Sequence, residues 1–521
     1  MEESIRQNAS IALHRYLSHN ITGTEKHVKT IRMMNNAKDY LQTMRNCTFI
    51  TSGSFGEGLV MRGSDLDVMY VCKFAEVCED KNVYFKPNIT YFEMEAEDCQ
   101  PCFVRLRLRY FTGRFFFGSF LEEMGGNYYL SNAKLKEQMT DLRCPTIHGP
   151  CLSDTNDTLD IALCFRSTSW IPQAQHWVTR SNNSWPSYDV KKSIIQHGVL
   201  FVPIGVKGSP KEDLDWRISF SVAEKILIYS FTHTQFLCYV LMKILLKDVI
   251  AIDLSCKELL CSYFMKTIVF WISEEISPSV WKPNNLIPLF MRCFRRLLYC
   301  VEYLVCPHFF VPENNLFENK INKYARVILL NKLHILNSYG WKCILFSDQI
   351  PNGHKLTSRL YKDQSCSHID IRKLLFSRIF YISYQAHMRS FDYEKAIHLI
   401  LSLESSKIKY LYLHFMSKFS CISDQFQPFE FTSENKFTYK KYNTRLSSLL
   451  QNMHHDAVSG WLMLASFFYK RKQYYIALDI LQYSLSKCSS EKFYHGMNAS
   501  PEPTCIIKPE PFEEYVDPKA M

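Results

Sequence analysis

The chain has 521 residues, of which 47% are hydrophobic and 21% charged. At about 150 residues per domain the length implies two to four domains, and the composition is that of a packed globular chain, excluding a disordered or collagenous one. Its 61 Lys and Arg against 51 Asp and Glu leave a net charge of +10, a balance that favours a polyanion such as nucleic acid or nucleotide phosphate.

The opening Met-Glu-Glu-Ser-Ile-Arg has no apolar run of the kind a secretory signal needs, and the 19 cysteines are scattered singly. Both point to reduced thiols and a cytoplasmic location. From Ile5 to Arg45, apolar residues recur at helical spacing (Ile11, Leu13, Tyr16, Leu17, then Val28, Ile31, Met34, Ala37, Leu41), which predicts one or two helices. Lys26, Lys29 and Arg32 stand three apart on another face, either a solvated charge row or a stripe for nucleic-acid phosphates.

Cys47 to Tyr70 predicts strand, turn, strand. A short apolar entry leads into Ser52-Gly53-Ser54-Phe55-Gly56-Glu57-Gly58, and after Gly63-Ser64 comes the alternation Leu66, Val68, Tyr70. Asp65 and Asp67 stand two apart there and so project from one face of a sheet. Paired carboxylates repel, and one takes up a proton unless a cation compensates. Oxygen ligands of this kind suit Mg²⁺ or Mn²⁺. Upstream, the tight turn of Ser52, Gly53 and Ser54 offers backbone N–H groups and hydroxyls to phosphate oxygens.

A third predicted strand, Leu159 to Phe165, follows the turn-prone run Ser153 to Asp157 and carries Asp160. If this strand lies beside the first, the three acids form one divalent-metal site able to promote nucleotidyl transfer from a triphosphate. From Trp216 to about Phe346 long apolar helical periods predict a second, helical lobe. Within it Ile226 to Leu246 is interrupted by Thr232, His233, Thr234, Gln235 and Lys243, too polar for a membrane span of about 20 residues, and is predicted as a buried helix.

Trp461, Leu464, Ala465, Phe468, Ala477 and Leu481 stand near tetratricopeptide offsets, with a weaker copy over Phe380 to Leu403 centred on Ala396. Two partial copies fit a small helical appendage as well as a true array, because an isolated repeat cannot bury its own face. The end of the chain, 489–521, holds Pro501, Pro503, Pro509, Pro511 and Pro518 with an excess of acids, and predicts a flexible acidic tail.

These residues resemble the cyclic GMP-AMP synthase-like receptors of the Mab (male-abnormal) domain family. Gly53-Ser54 through Asp65-Leu66-Asp67 is similar to that family's glycine-serine turn and first two metal-binding acids, and Leu159-Asp160-Ile161 to the strand bearing the third. Trp216-Arg217-Ile218-Ser219-Phe220-Ser221-Val222-Ala223-Glu224-Lys225 resembles its Trp-Arg-x-Ser-Phe-Ser stretch lining the nucleotide pocket. Lys243 looks like a nucleotide-contacting lysine, and Ser262-Tyr263 like the pair whose ring stacks on a base.

The resemblance covers about Ile11 to Phe346 and implies an α+β, bilobal nucleotidyltransferase fold: a mixed-sheet catalytic lobe with an N-terminal spine helix (1–215) and a helical lobe (216–350), before the repeat-like region (351–488) and tail. Physical chemistry agrees with the roles it implies. Arg217 offers a bidentate fork to phosphate or base edge, Ser219 and Ser221 offer hydroxyls from one strand face, and Tyr263 can stack. The plainer alternative for Arg217 and Glu224 is an ion pair or helix cap, and for Tyr263 a core aromatic.

One departure stands out. The family's vertebrate DNA sensor carries a His/Cys zinc thumb between the equivalents of Lys225 and Lys243, whereas Ile226 to Met242 here holds only His233 and Cys238. The lone Cys99-Gln100-Pro101-Cys102 has no second pair at ribbon spacing, so no structural zinc is expected. The resemblance then implies double-stranded RNA or another pathogen-derived ligand as activator, ATP and GTP as substrates, and a STING-type receptor reading a cyclic dinucleotide product. A catalytically silent scaffold and a linear nucleotidyltransferase are the alternatives.

Overall fold

The computed structural model describes residues 2–61, 65–79, 84–113, 116–141, 144–180, 185–318, 320–350, 436–451, 453 and 458–487, with isolated positions between 397 and 417. The chain divides into two compact units, 1–399 and 400–521.

The first unit opens with helices α1 (Glu2–Asn20) and α2 (Glu25–Gln42). Thr24 caps α2 by accepting from the His27 N–H, and Leu13, Leu17, Val28, Ile31 and Ala37 from the predicted stripes are buried. Strand β1 (Cys47–Thr51) alternates buried and half-buried residues as a one-sided strand should. After the short helix α3 (Gly53–Gly56), the long β2 (Leu66–Cys78) runs through the centre of the unit.

Among the described residues eleven strands form one mixed sheet. The others are β3 (Thr90–Glu95), β4 (Phe103–Tyr110), β5 (Leu121–Met124), β6 (Asn127–Leu130), β7 (Thr146–His148), β8 (Cys151–Ser153), β9 (Leu159–Ser167), β10 (Val199–Val202) and β11 (Asp215–Ser219). Strand β2 is parallel to β9 over its first half and parallel to β3 over its second, with an irregularity between Val71 and Glu76. The ladder then passes from β3 to β4, β11, β10 and back to β9, so six strands close a ring around Phe92, Phe117, Phe165 and Trp216.

Helices α4 (Asn132–Met139), α5 (Gln175–Thr179) and α6 (Tyr188–His197) flank the sheet segments. The helices of the second lobe begin at Ser221, because Trp216 and Arg217 lie within β11: the Trp216 indole is fully buried and donates to the Leu130 carbonyl at 2.8 Å. The single buried helix expected over 226–246 is two, α7 (Ser221–Tyr229) and α8 (His233–Ile244). The polar interruption is the reason: Thr232 and Gln235 form a reciprocal capping box that starts α8. Every residue of α8 from Thr234 to Ile244 is buried, packed by α9 (Ser262–Glu275) and α10 (Leu286–Tyr303), with α11 (Lys323–Ser338) beyond α10. Among the described residues no helix is long and apolar enough to cross a membrane.

In the second unit the helices Ser459–Lys470 and Tyr474–Ser486 pack as a hairpin. Leu464, Ala465 and Ala477 of the repeat-like pattern are buried, Trp461 packs edge-on to Tyr483 at 4.6 Å, and Leu481 is exposed. The weaker copy around Ala396 and the tail 489–521 lie outside the described residues, apart from isolated positions in the former.

Candidate functional site

Asp67 and Asp160 are direct register partners on the parallel strands β2 and β9. Neighbouring strands lie about 4.8 Å apart and register partners face the same way, so the pairing alone brings the carboxylates together. Asp65 stands one alternation earlier, just before β2. All three acids present an oxygen within 4.8 Å of the others, with Asp65 exposed and the other two half-buried.

Burial, then the charges of Asp65 and Asp160, push the Asp67 carboxyl up to about 6 against the opposing pull of Lys266. Asp160 is steadied by the Ser153 hydroxyl, which donates to its Oδ1 at 2.5 Å. Buried Asp154 locks the turn into β9, accepting from the Thr158 and Leu159 N–H groups at 2.7 and 2.9 Å. Three converging hard oxygen donors with a depleted positive field fit a divalent cation.

The turn after β1 is built onto the same acid. The Ser52 N–H donates to the Asp67 carbonyl at 2.8 Å, and Gly53 adopts a positive φ of 59°. A Cβ at Gly53 would meet Asp67 Oδ2 at 1.7 Å, so only glycine lets the chain pass this close to the carboxylate. The Lys243 ammonium, brought in by α8, donates to the Ser54 hydroxyl. Burial lowers this lysine to about 8, with Glu57 opposing.

Lys266 on α9 stands between Glu57 at 2.6 Å and Glu224 at 3.0 Å. Its burial would strip its proton, but the two carboxylates outweigh that and hold it well above the ordinary lysine range. Lys225 reaches the Thr51 carbonyl at 3.0 Å and Asp39 at 3.4 Å, while Asp39 also accepts from the Thr51 N–H at 2.8 Å. It thus ties β1 to α2 and α7.

Arg217 is exposed on β11. Ser219 and Ser221 do not share a strand face, because β11 ends at Ser219 and Ser221 opens α7. Their hydroxyls nevertheless meet at 3.2 Å, and Ser221 touches the Met69 sulfur of β2 at 2.7 Å. Ser262 and Tyr263, both half-buried, begin α9, and the Tyr263 hydroxyl lies 2.7 Å from His308 Nε2.

The basic row on α2 does not stay together. Lys26 and Lys29 are exposed, Lys29 paired with Glu25 at 2.6 Å. Arg32 is 7% exposed, donates to the Glu57 carbonyl at 2.8 Å and lies over the Tyr229 and Phe236 rings. Sequence reasoning did not single out Glu57, Lys266 or His308 as site residues. Glu57 sits inside the Ser52–Gly58 run and Lys266 one helical turn after Ser262-Tyr263, whereas nothing in the local pattern marks His308.

Residues 120–230 match the Mab-21 protein nucleotidyltransferase domain, and residues 235–334 match the Mab-21 protein HhH/H2TH-like domain. Asp160, Arg217 and Tyr263 fall inside these spans, and Asp65 and Asp67 precede them. The chain is 25% identical over 172 residues to the cyclic GMP-AMP synthase of Mus musculus, covering 30% of this chain and 34% of that protein. It is 26% identical over 202 residues to that of Sus scrofa, covering 35% and 40%. The matched segment thus spans well under half the length of either relative. Residues 120–334 are thus similar to two adjoining domains of Mab-21 proteins, a nucleotidyltransferase domain followed by an HhH/H2TH-like domain.

Proposed function

We propose that this protein is a nucleotidyltransferase that joins ATP and/or GTP into a cyclic dinucleotide second messenger. The observation that carries the proposal is the register match of Asp67 with Asp160, with Asp65 inside the same 4.8 Å cluster. The relatives named cyclic GMP-AMP synthase and the Mab-21 nucleotidyltransferase match support the same chemistry.

Asp65, Asp67 and Asp160 would hold Mg²⁺ or Mn²⁺, which supplies a lowered pKa for an attacking hydroxyl and neutralises triphosphate charge. Asp160, steadied by Ser153, orients the attacking ribose hydroxyl. The hydroxyl gives its proton to Asp160, its oxygen bonds to the α-phosphorus of a second nucleotide as the bond to the α–β bridging oxygen breaks, and pyrophosphate leaves; a second such step closes the ring. Ser52, Gly53, Ser54 and Lys243 cradle the triphosphate. Arg217, Ser219, Ser221, Glu224, Lys225, Ser262 and Tyr263 form the nucleoside pocket, Arg217 by a bidentate fork and Tyr263 by stacking.

Double-stranded RNA or another pathogen-derived ligand activates the enzyme in the cytoplasm, and a STING-type receptor reads the product. Incubating the pure protein with labelled ATP, GTP and Mg²⁺ or Mn²⁺, over a panel of RNA and DNA duplexes, and identifying products by mass tests this reading. A cyclic dinucleotide absent from Asp160→Asn supports it. A linear oligonucleotide product, or nucleotide binding with no product under any duplex, overturns it.

A further inference from the structure

We infer that His308 is a positioning residue for Tyr263, fixing the ring that the proposed function assigns to base stacking; the inference rests on that reading only for the identity of the ligand. His308 lies between α10 and α11, 5% exposed. Its Nδ1 accepts the backbone N–H groups of Phe310 and Val311 at 3.2 and 3.1 Å, so no proton resides there. Burial, helped by nearby Arg217, keeps the imidazole neutral by lowering it to about 3.

A neutral imidazole carries one N–H, which is therefore on Nε2 and donates across 2.7 Å to the Tyr263 phenol oxygen. The ring cannot turn away, since Phe220 lies 5.3 Å from His308 and stacks on Phe310 at 4.6 Å. The phenol oxygen accepts from His308, and the Glu224 carboxylate is among the charges that face it. Glu224 in turn accepts from Lys266 at 3.0 Å, and Lys266 reaches Glu57 at 2.6 Å. A line of polar groups thus runs from the 308–311 backbone to Glu57 beside the turn that carries Ser54, with Lys266 donating to both carboxylates. A half-buried tyrosine held at its oxygen by a fixed donor presents its ring at one place, so the ordering cost of binding a base is already met.

Two substitutions separate the halves of the imidazole. His308→Asn keeps an acceptor where Nδ1 lies but cannot reach Tyr263; His308→Gln keeps a donor near the Nε2 position but gives up the backbone N–H groups. With ATP or GTP and Mg²⁺ titrated by calorimetry, His308→Asn is expected to weaken affinity about five- to tenfold, the scale of one hydrogen bond, and His308→Gln to restore most of it. In a Tyr263→Phe background His308→Asn should have no further effect. An unchanged affinity in His308→Asn, or the same loss with and without the Tyr263 hydroxyl, overturns the inference.

A nucleotide-independent readout is 3-fluorotyrosine at position 263, whose ¹⁹F line should shift and broaden in His308→Asn and return in His308→Gln. If that line behaves as expected but the wild type binds neither nucleotide, the positioning role stands and the nucleotide assignment falls. An unmoved line sinks the positioning role itself.

Discussion

Two clusters of charge a few residues apart in space are arranged on opposite principles. Where β2 and β9 begin, Asp65, Asp67 and Asp160 crowd within 4.8 Å, and burial together with the charges of the other two raises the proton affinity of Asp67. At the junction of α7, α8 and α9, Lys266 sits between Glu57 and Glu224, each carboxylate within 3.0 Å of its ammonium. The helical cluster is internally neutralised to within one charge, with Lys243 adjoining. The strand cluster keeps its repulsion, which a divalent ion would relieve. Charges that balance each other set the architecture; charges left in conflict mark where a ligand belongs.

The comparison is broken most directly by Asp67→Asn or Asp160→Asn. Each is expected to abolish product formation, at least a thousandfold, with the fold retained, because under the proposed function each removes a metal ligand rather than core packing. Product assays alongside circular dichroism check it, and equal product from mutant and wild type would refute the metal assignment. Gly53→Ala attacks the same cluster through the backbone. The intruding methyl must displace the Asp67 carboxylate, and a ten- to hundredfold loss of activity with weakened Mn²⁺ binding is expected.

Lys266→Met tests the other cluster. It leaves two buried carboxylates unpaired, a change that costs about 3–5 kcal/mol when a buried pair is broken, and thermal denaturation should show it. If Tm is unmoved, the helical cluster is not the self-balanced structure described here.

The pH response sharpens the contrast. Asp67 is raised in the folded chain to about 6, so without divalent ions its contribution to stability is fully present below its unfolded value and is lost as pH rises through about 6. The whole effect is at most about 3 kcal/mol. Asp67→Asn should remove that loss, making the metal-free mutant more stable than wild type at pH 8, and Mg²⁺ should restore wild type while leaving the mutant nearly unchanged. A smaller effect is expected at the surface: changing Lys26 and Lys29 together to Glu should weaken activation by duplex RNA and lower its salt dependence by about two counterions at most. An unchanged salt slope would move the contact elsewhere.

Much of the metal-facing half of the site was legible in the chain. Alternation around Asp65 and Asp67, the turn signals before Leu159 and the glycine at 53 are local, and local patterns report face and turn. The partnering of Asp67 with Asp160 is a long-range register, and inference reached it only by supposing that two strands lie side by side. Strand β4 was readable and went unread: Val104, Leu106 and Leu108 alternate with Arg105, Arg107 and Arg109, and the arginines answer acids on β3 and β11. Arg32 failed the other way, its spacing with Lys26 and Lys29 suggesting a shared surface until Tyr229 and Phe236 turn it inward. His308 lies 45 residues from the tyrosine it touches, and no periodicity connects them.

The closed circuit of six strands through β2 and β9 has a mechanical corollary. In an open sheet, two strands can slide or splay and carry their side chains with them. Here β2 is clasped along its length by β1, β9 and β3 in turn, so changing the gap between Asp67 and Asp160 would mean unzipping the loop of ladders elsewhere. The acids are therefore the stationary jaw of the site, and any adjustment to an incoming ligand falls to the side chains that α8 and α9 bring to meet it.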